Sequence, residues 1–185
     1  LSSNTITVGG NFYALTNGTI THNSGTLVLN GNSDTDLRMD GTNNLYNLTV
    51  DKDSAANTVT FEDTNDDLQL EGALQIEDGA LDITDTIVID GAVTIGNGAD
   101  QGSTLKSTTN SLSSTFNDDV TIASDGRFDF QADRQTIRFD NEAGDLVDIA
   151  AGGSFVVKGT AGNLTTLTND AGTDKWHIHN GNAQD

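Results

Sequence analysis

The chain contains no proline and no cysteine among its 185 residues. Average usage of about 5% would give roughly nine prolines in a chain of this length. The absence of proline favours strands paired on both sides, because proline lacks the backbone N–H that such a strand donates. The absence of cysteine excludes disulfide frameworks, thiolate metal sites and cysteine nucleophiles, and it leaves the redox compartment open.

Apolar side chains are also scarce, since 34% of the residues are hydrophobic and 5% are aromatic. This is little for a two-layer sandwich, whereas a solenoid buries only a thin column of side chains in each coil. Disorder is the competing interpretation, because low hydrophobicity and high net charge are typical of disordered chains. The regular two-residue alternation of Val, Ile, Leu and Phe favours an ordered β-structure instead.

Basic residues are few: 8 Lys and Arg stand against 28 Asp and Glu, a formal net charge of −20. Such a charge repels nucleic acid and anionic lipid and attracts cations. The sequence has no apolar run of membrane-spanning length and no signal-peptide pattern, which predicts no membrane insertion. The chain starts at Leu1 rather than Met, so we expect a processed product or an excised segment.

A segment near the middle of the chain is repeated. Residues 70–80 recur as residues 89–99, with both Gly-Ala pairs and an Ile in the same places. Looser echoes relate Ile95 to Ile122 and Ile122 to Ile149, and Gly126–Phe128 to Gly153–Phe155. Recurrence at about twenty residues indicates one supersecondary unit stacked on its neighbours. Because the unit is a strand and a turn, the sequence predicts a β-solenoid.

The rest of the chain follows the same pattern of short strands separated by Gly, Asn, Asp and Ser. We expect one all-β domain over residues 1–185, a single-stranded parallel β-helix of about seven to nine coils with essentially no helix. The polar, Ser- and Thr-rich stretch at 100–115 predicts a register break or a loop excursion. An immunoglobulin-like sandwich is the alternative, but its Cys–Trp–Cys landmarks are missing and it would not repeat at this spacing.

Three segments resemble repeats of very long bacterial surface proteins, the filamentous-haemagglutinin-type adhesins. They are residues 5–12 (TITVGGNF), 21–27 (THNSGTL) and 45–52 (LYNLTVDK). The resemblance covers roughly residues 1–100 well and the remainder loosely. It implies a right-handed parallel β-helix with a secreted structural or adhesive role, and it carries no catalytic residues.

Two groups of residues are candidates for binding a metal ion. His177 and His179 lie two apart on a predicted strand, so both side chains project from one face. The acidic turns offer oxygen ligands of the kind that calcium prefers, at Asp51, Asp53, Asp63, Asn65 and Asp67. For both groups the favoured alternative is a solvated polar surface. The acidic turns have neither an EF-hand loop nor a calcium-binding nonapeptide.

A cluster of arginines and aspartates is the candidate for catalysis, because β-helix enzymes that act on polysaccharides use carboxylates beside basic groups. Arg138 alternates with Ile137 and Phe139, however, and a charge ladder between coils accounts for it. We expect no enzymatic activity and no cofactor other than calcium. The cluster consists of Arg127, Arg134 and Arg138 with Asp129, Asp133 and Asp140.

The predicted function is therefore structural. We expect an acidic stalk or fibre segment of a bacterial surface adhesin or filament, stacked end to end on flanking repeats or identical subunits. Neither terminus shows an amphipathic capping helix. The alternatives are a module that binds glycans or a host surface and, less favoured, a polysaccharide-degrading enzyme. One Trp and two Tyr make an extended aromatic sugar-binding platform hard to build.

Overall fold

The computed structural model describes residues 4–15, 18–41, 43–62, 68–99, 101–139, 146–169 and 177–181. These residues form nineteen β-strands and contain no helix, so none of them belongs to a helix that could cross a membrane. The strands are β1 (Thr5–Val8), β2 (Phe12–Ala14), β3 (Thr26–Gly31), β4 (Thr35–Met39), β5 (Asn47–Lys52), β6 (Thr58–Glu62), β7 (Leu68–Leu70), β8 (Leu74–Ile83), β9 (Ile87–Ile89), β10 (Val93–Ile95), β11 (Ser103–Ser107), β12 (Ser113–Phe116), β13 (Val120–Ile122), β14 (Gly126–Phe130), β15 (Thr136–Phe139), β16 (Leu146–Ile149), β17 (Ser154–Val157), β18 (Thr166–Asn169) and β19 (His177–Asn180).

The strands stack in parallel on three faces and form a β-solenoid. Face A contains β1, β3, β5, β8, β10, β13, β16 and β19; face B contains β2, β4, β6, β8, β11, β14 and β17; face C contains β7, β9, β12, β15 and β18. The long strand β8 passes from face A to face B. All pairings between these strands are parallel, which excludes the sandwich alternative.

The solenoid has about six turns, slightly fewer than the seven to nine expected. The prediction took its coil length from the repeats in the sequence. The last turn, from Val147 to its face-A partner Ile178, is longer than any of those repeats. Because this turn takes more residues, the chain forms fewer turns than the repeat lengths predict.

The repeats in the sequence are vertical neighbours in the stack. Ile76 pairs with Ile95, as the copy of residues 70–80 at 89–99 predicts. Ile95 pairs with Ile122, and Ile122 pairs with Ile149. Phe128 pairs with Phe155 in the same way on face B. Each internal repeat therefore gives the strand register directly.

Two columns of aliphatic side chains fill the interior behind face A. Inward and outward positions alternate along each strand because successive residues of a β-strand point to opposite faces. The first column is Leu27, Leu48, Leu74, Val93, Val120 and Val147, and the second is Leu29, Val50, Ile76, Ile95, Ile122 and Ile149, all buried. Burial of about 25 cal/mol per Å² of apolar surface makes these columns the main stabilising contribution of this face.

The polar stretch at 100–115, where we expected a register break or a loop excursion, instead supplies β11 and β12. Both strands pair in register with the turns before and after them. Ser103, Ser107 and Ser114 point inward and are buried. The hydroxyl of Ser103 donates to the Glu77 carbonyl oxygen at 2.6 Å, so an inward serine keeps its hydrogen bond. The register shift on face A lies elsewhere, between Val50 and Asp51.

Phenylalanine rings fill much of the interior of the later turns. Phe128 stacks on Phe130 with ring centroids 4.4 Å apart and on Phe155 at 4.8 Å. Phe116 and Phe139 are stacked at 5.4 Å, and Phe116 meets Phe128 edge to face at 5.6 Å. These five rings form one continuous cluster, called the phenylalanine stack below.

Candidate functional site

Asp51, which was predicted to lie in an acidic turn, belongs to β5 and meets a second acidic residue in the next coil. Asp51 pairs in register with Asp78, and Asp53 lies exposed beyond the end of β5. Burial, followed by the nearby carboxylates of Asp51 and Asp125, raises the pKa of Asp78. Within the described ranges, no three His, Cys, Asp or Glu side chains are grouped so as to hold a metal ion. The other predicted calcium ligands, Asp63, Asn65 and Asp67, lie outside the described residues.

The two predicted histidine ligands lie on β19, and all four residues of this strand are exposed. His179 pairs in register with Asp148, and its Nδ1 lies 2.6 Å from Asp148 Oδ1. His177 pairs in register with Leu146, whose side chain offers no ligand atom. The structure therefore brings one of the histidines to a carboxylate in the preceding turn.

The arginine–aspartate cluster divides into separate contacts. Arg138 is exposed while Ile137 and Phe139 are buried, as the alternation predicts. Asp140 lies outside the described residues. The remaining contacts are Arg127 Nε to Asp129 Oδ2 at 2.8 Å, Arg134 Nε to Asn163 Oδ1 at 2.7 Å and Thr160 N to Asp133 Oδ1 at 2.8 Å. The basic and acidic groups are thus used in cross-turn and same-strand pairs.

A polar recess of about 310 Å³ lies at the corner between faces C and A, near the start of the chain. The turn His22–Gly25 forms one wall, and the Gly25 N–H donates to the His22 carbonyl at 2.7 Å. Asn23 and Ser24, the central residues of this turn, have φ angles of 44° and 58°. Left-handed conformations at two successive non-glycine residues are uncommon. The recess is lined by Ile20, Thr21, His22, Asn23, Ser24, Asn44 and Glu71.

The imidazole of His22 is held from three sides. Its Nδ1 accepts a hydrogen bond from the Ser24 N–H at 3.3 Å, and its Nε2 lies 3.2 Å from Glu71 Oε2. The ring also stacks on Tyr46, with centroids 5.7 Å apart and an interplanar angle of 28°. Because Nδ1 accepts, the neutral ring carries its proton on Nε2 and donates it to the carboxylate.

Tyr46 reaches this position because of a glycine in the next turn. A Cβ at Gly72 would lie 2.9 Å from the Tyr46 ring, so only glycine leaves room for it. Tyr46 precedes β5 and is half-buried. Its ring supports His22 from behind instead of filling the interior.

A buried asparagine orders the neighbouring segment of the wall. The side-chain oxygen of Asn43 accepts a hydrogen bond from the Ile20 N–H at 2.8 Å. Its amide nitrogen donates to the carbonyls of Gly18 at 3.2 Å and Asp40 at 2.6 Å. Asn44, the next residue, faces the recess and donates to Glu71 Oε1 at 3.5 Å. The chain at 18–20 is therefore fixed by the turn that follows it.

Sequence reasoning did not find this recess, because its residues come from three turns. His22, Asn44 and Glu71 are far apart in the chain, and each alone is an ordinary corner residue. The available signal was the spacing itself, since the intervals between these residues are close to the turn lengths that the repeats reveal.

The two ends of the stack differ from its middle. Among the described residues of face A, β1 pairs only with β3, and β19 pairs only with β16. The exposed large hydrophobic side chains among the described residues all lie in the first and last turns. They are Ile6, Tyr13 and Leu15 at one end and Leu164, Leu167 and Ile178 at the other. The sequence before Asp34 contains no Asp, Glu, Lys or Arg, so every residue of these four types lies at or after that position.

The fold defines this chain as a parallel β-solenoid with a small polar recess. No protein-family model matches the chain, and neither the curated proteins nor the solved structures give a match.

Proposed function

We propose that the chain is a segment of a rod-shaped structural protein at a bacterial surface, extended at its ends by further turns of the same kind. These turns come from flanking repeats or from identical subunits. The observation that carries the proposal is the concentration of exposed apolar side chains in the first and last turns of the described stack.

The chemistry of the first turn supports this proposal. Proteins usually protect an open sheet edge with charged side chains, because an unprotected edge pairs with other strands. Here the first turn has no Asp, Glu, Lys or Arg, although the whole chain carries 28 acidic residues. A further turn would cover Ile6 and continue the column that runs through Leu27 and Leu48.

The mechanical role follows from the hydrogen bonding. Strand-to-strand hydrogen bonds run along the axis of the stack, so stretching or bending the rod strains many of them at once. The net charge of −20 is carried beyond the first turn and opposes side-by-side association of rods. Rods therefore associate end to end and do not associate along their sides.

The experiment measures end-to-end association of the whole chain. We expect the mass from light scattering to rise with concentration and electron microscopy to show rods of increasing length but constant width. Ile6→Lys and Leu167→Lys place a charge on opposite ends and should each reduce association by about tenfold, because a desolvated charge is costly in a paired edge.

Thr49→Lys is the matched control, because Thr49 lies on the outward side of β5, a strand that is paired on both sides. It should leave association unchanged. A chain that stays monomeric at high concentration, or end variants that associate as well as the control, would contradict the proposal.

A second candidate function, the binding of a saccharide, is favoured by one specific observation, the polar recess beside His22.

A further inference from the structure

We infer that the recess between the His22–Gly25 turn and Glu71 is a binding site for one ring of a neutral saccharide. This inference does not depend on end-to-end assembly, because none of the exposed apolar residues of the first and last turns lines the recess.

The lining of the recess presents hydrogen-bonding groups of several kinds within a small space. Thr21 and Ser24 carry hydroxyls, Asn23 and Asn44 carry amides, and Glu71 carries a carboxylate. Sugar hydroxyls donate and accept at once, so a ring with several of them needs this mixture of partners. A ligand with few polar groups would displace water from these side chains without replacing its hydrogen bonds, which costs free energy.

The recess also has less polar walls. Ile20 is half-buried and lines one side, and the His22 imidazole, whose ring is stacked on Tyr46, lines another. The C–H face of a pyranose ring packs against surfaces of this kind. The volume of about 310 Å³ is at the small end for ligand sites, which limits the occupant to a short saccharide or one ring of a chain.

The side chains are ordered before any ligand arrives. Tyr46, Ser24 and Glu71 fix the His22 ring, and Asn44 contacts the second oxygen of Glu71. Asn43 fixes the chain that carries Ile20. Preorganisation lowers the entropic cost of binding, which matters for a shallow site with few contacts.

Charge selects a neutral ligand. The carboxylate of Glu71 and the net charge of −20 repel an anionic sugar such as a uronic acid. The nearest basic partner of Glu71 is the His22 ring, which already donates to it. An open site of this size with a single carboxylate is expected to bind with a dissociation constant of about 1 mM.

The test is an NMR titration of the isotope-labelled chain with glucose, galactose, N-acetylglucosamine and glucuronate. We expect one or more neutral sugars to shift the backbone amides of residues 20–24, Asn44 and Glu71, with glucuronate binding more weakly. Glu71→Gln keeps the side-chain shape but loses the charge-assisted hydrogen bonds, so it should weaken binding by about tenfold.

Asp90→Asn is the matched control, because Asp90 occupies the equivalent corner one turn further along. It should leave binding unchanged, and circular dichroism should show both variants folded. The absence of shifts at these amides with every neutral sugar, or equal binding by Glu71→Gln, would overturn the inference. Titrating the Ile6→Lys variant as well separates sugar binding from assembly, because the recess does not include Ile6.

Discussion

The early and late turns of this solenoid share one backbone but fill it differently. The early turns are packed mainly with Leu, Val and Ile, and they also enclose Lys52, which is 1% exposed. The late turns are packed around the phenylalanine stack and contain buried serines and Gln135. Both interiors keep the same parallel pairing, although among the described residues face C has strands only from β7 onward.

The comparison shows which feature fixes the fold. Parallel strands lie about 4.8 Å apart whatever their side chains are. Phe128 and Phe155 are register partners, and their rings stack at 4.8 Å, which matches the strand spacing. The aliphatic columns have the same spacing between strands, but their side chains do not have to align as stacked rings do. The alternation of inward and outward residues sets the architecture, and the choice of inward residue sets how each turn is packed.

The largest expected effect comes from opening a cavity in the phenylalanine stack. Phe128→Ala removes the ring that contacts Phe116, Phe130 and Phe155, and it should lower the free energy of unfolding by about 3–5 kcal/mol. Leu48→Ala in an aliphatic column should cost about 2–5 kcal/mol. Chemical denaturation followed by circular dichroism measures both values.

Phe128→Leu sharpens this comparison, because it keeps an apolar side chain but removes ring stacking. It should fall between the wild type and Phe128→Ala. If Leu48→Ala proved more damaging than Phe128→Ala, the stack would not be the more tightly packed region.

The next effect concerns the buried lysine of the early turns. Lys52 Nζ donates to the Asn30 carbonyl at 2.7 Å and approaches Thr35 Oγ1 at 3.4 Å. Burial lowers the pKa of Lys52, although nearby Asp34 and Asp53 oppose this shift. Lys52→Ala leaves a cavity and should cost about 2–4 kcal/mol, whereas Lys52→Met fills the space and should lie within about 1 kcal/mol of the wild type.

The pH dependence gives a second measurement of Lys52. Its folded pKa lies below the unfolded value, so between the two values the unfolded chain binds more protons. Stability therefore rises with pH through this window, up to the ordinary lysine pKa of about 10.5. Unfolding of Lys52→Met at several alkaline pH values should lack this rise. An identical rise in the variant would assign it to other groups.

The smallest effect comes from Asp78. Its raised pKa means that the folded chain binds more protons than the unfolded chain between the ordinary and the raised value. This contribution to stability is therefore present at low pH and is lost as the pH rises through the raised pKa. Asp78→Asn should stabilise the chain at neutral pH by less than about 1 kcal/mol and flatten the dependence.

Melting temperatures between mildly acidic and neutral pH measure this difference. Asp90→Asn serves as the exposed control and should keep the wild-type slope. An unchanged slope in Asp78→Asn would show that neither burial nor the carboxylates of Asp51 and Asp125 raise the pKa of Asp78 in the folded chain.

Much of the fold could be predicted from the sequence, because a repeat at turn length gives the register. Ile76, Ile95 and Ile122 are visible as equivalent residues before any coordinates are known. Lys52 follows the same alternation inward from Leu48 and Val50, but its charge argues against burial. Lys52 is buried because it makes contacts with other turns, such as its hydrogen bond to the Asn30 carbonyl. The sequence around Lys52 does not reveal these contacts.

The buried serines of the polar stretch and the recess could not be predicted from the sequence for the same reason. Inward serines at 103 and 107 look like loop residues until their hydrogen-bond partners in other turns are known. The recess requires His22, Tyr46 and Glu71 to meet from different turns, and it requires the missing side chain of Gly72. The sequence pattern shows which side chains point inward and which point outward. Which side chains of different turns become neighbours depends on the exact length of each corner.

The unequal turn lengths have a consequence for how the length of such a solenoid evolves. The turn from Ile76 to Ile95 is shorter than the turn from Ile95 to Ile122, yet the two occupy successive levels of face A and the inward columns continue through both. A gene that gains or loses one whole period would alter the reach of its product in increments of about 4.8 Å. The length of the rod would therefore change by whole turns, while the length of each corner could vary independently.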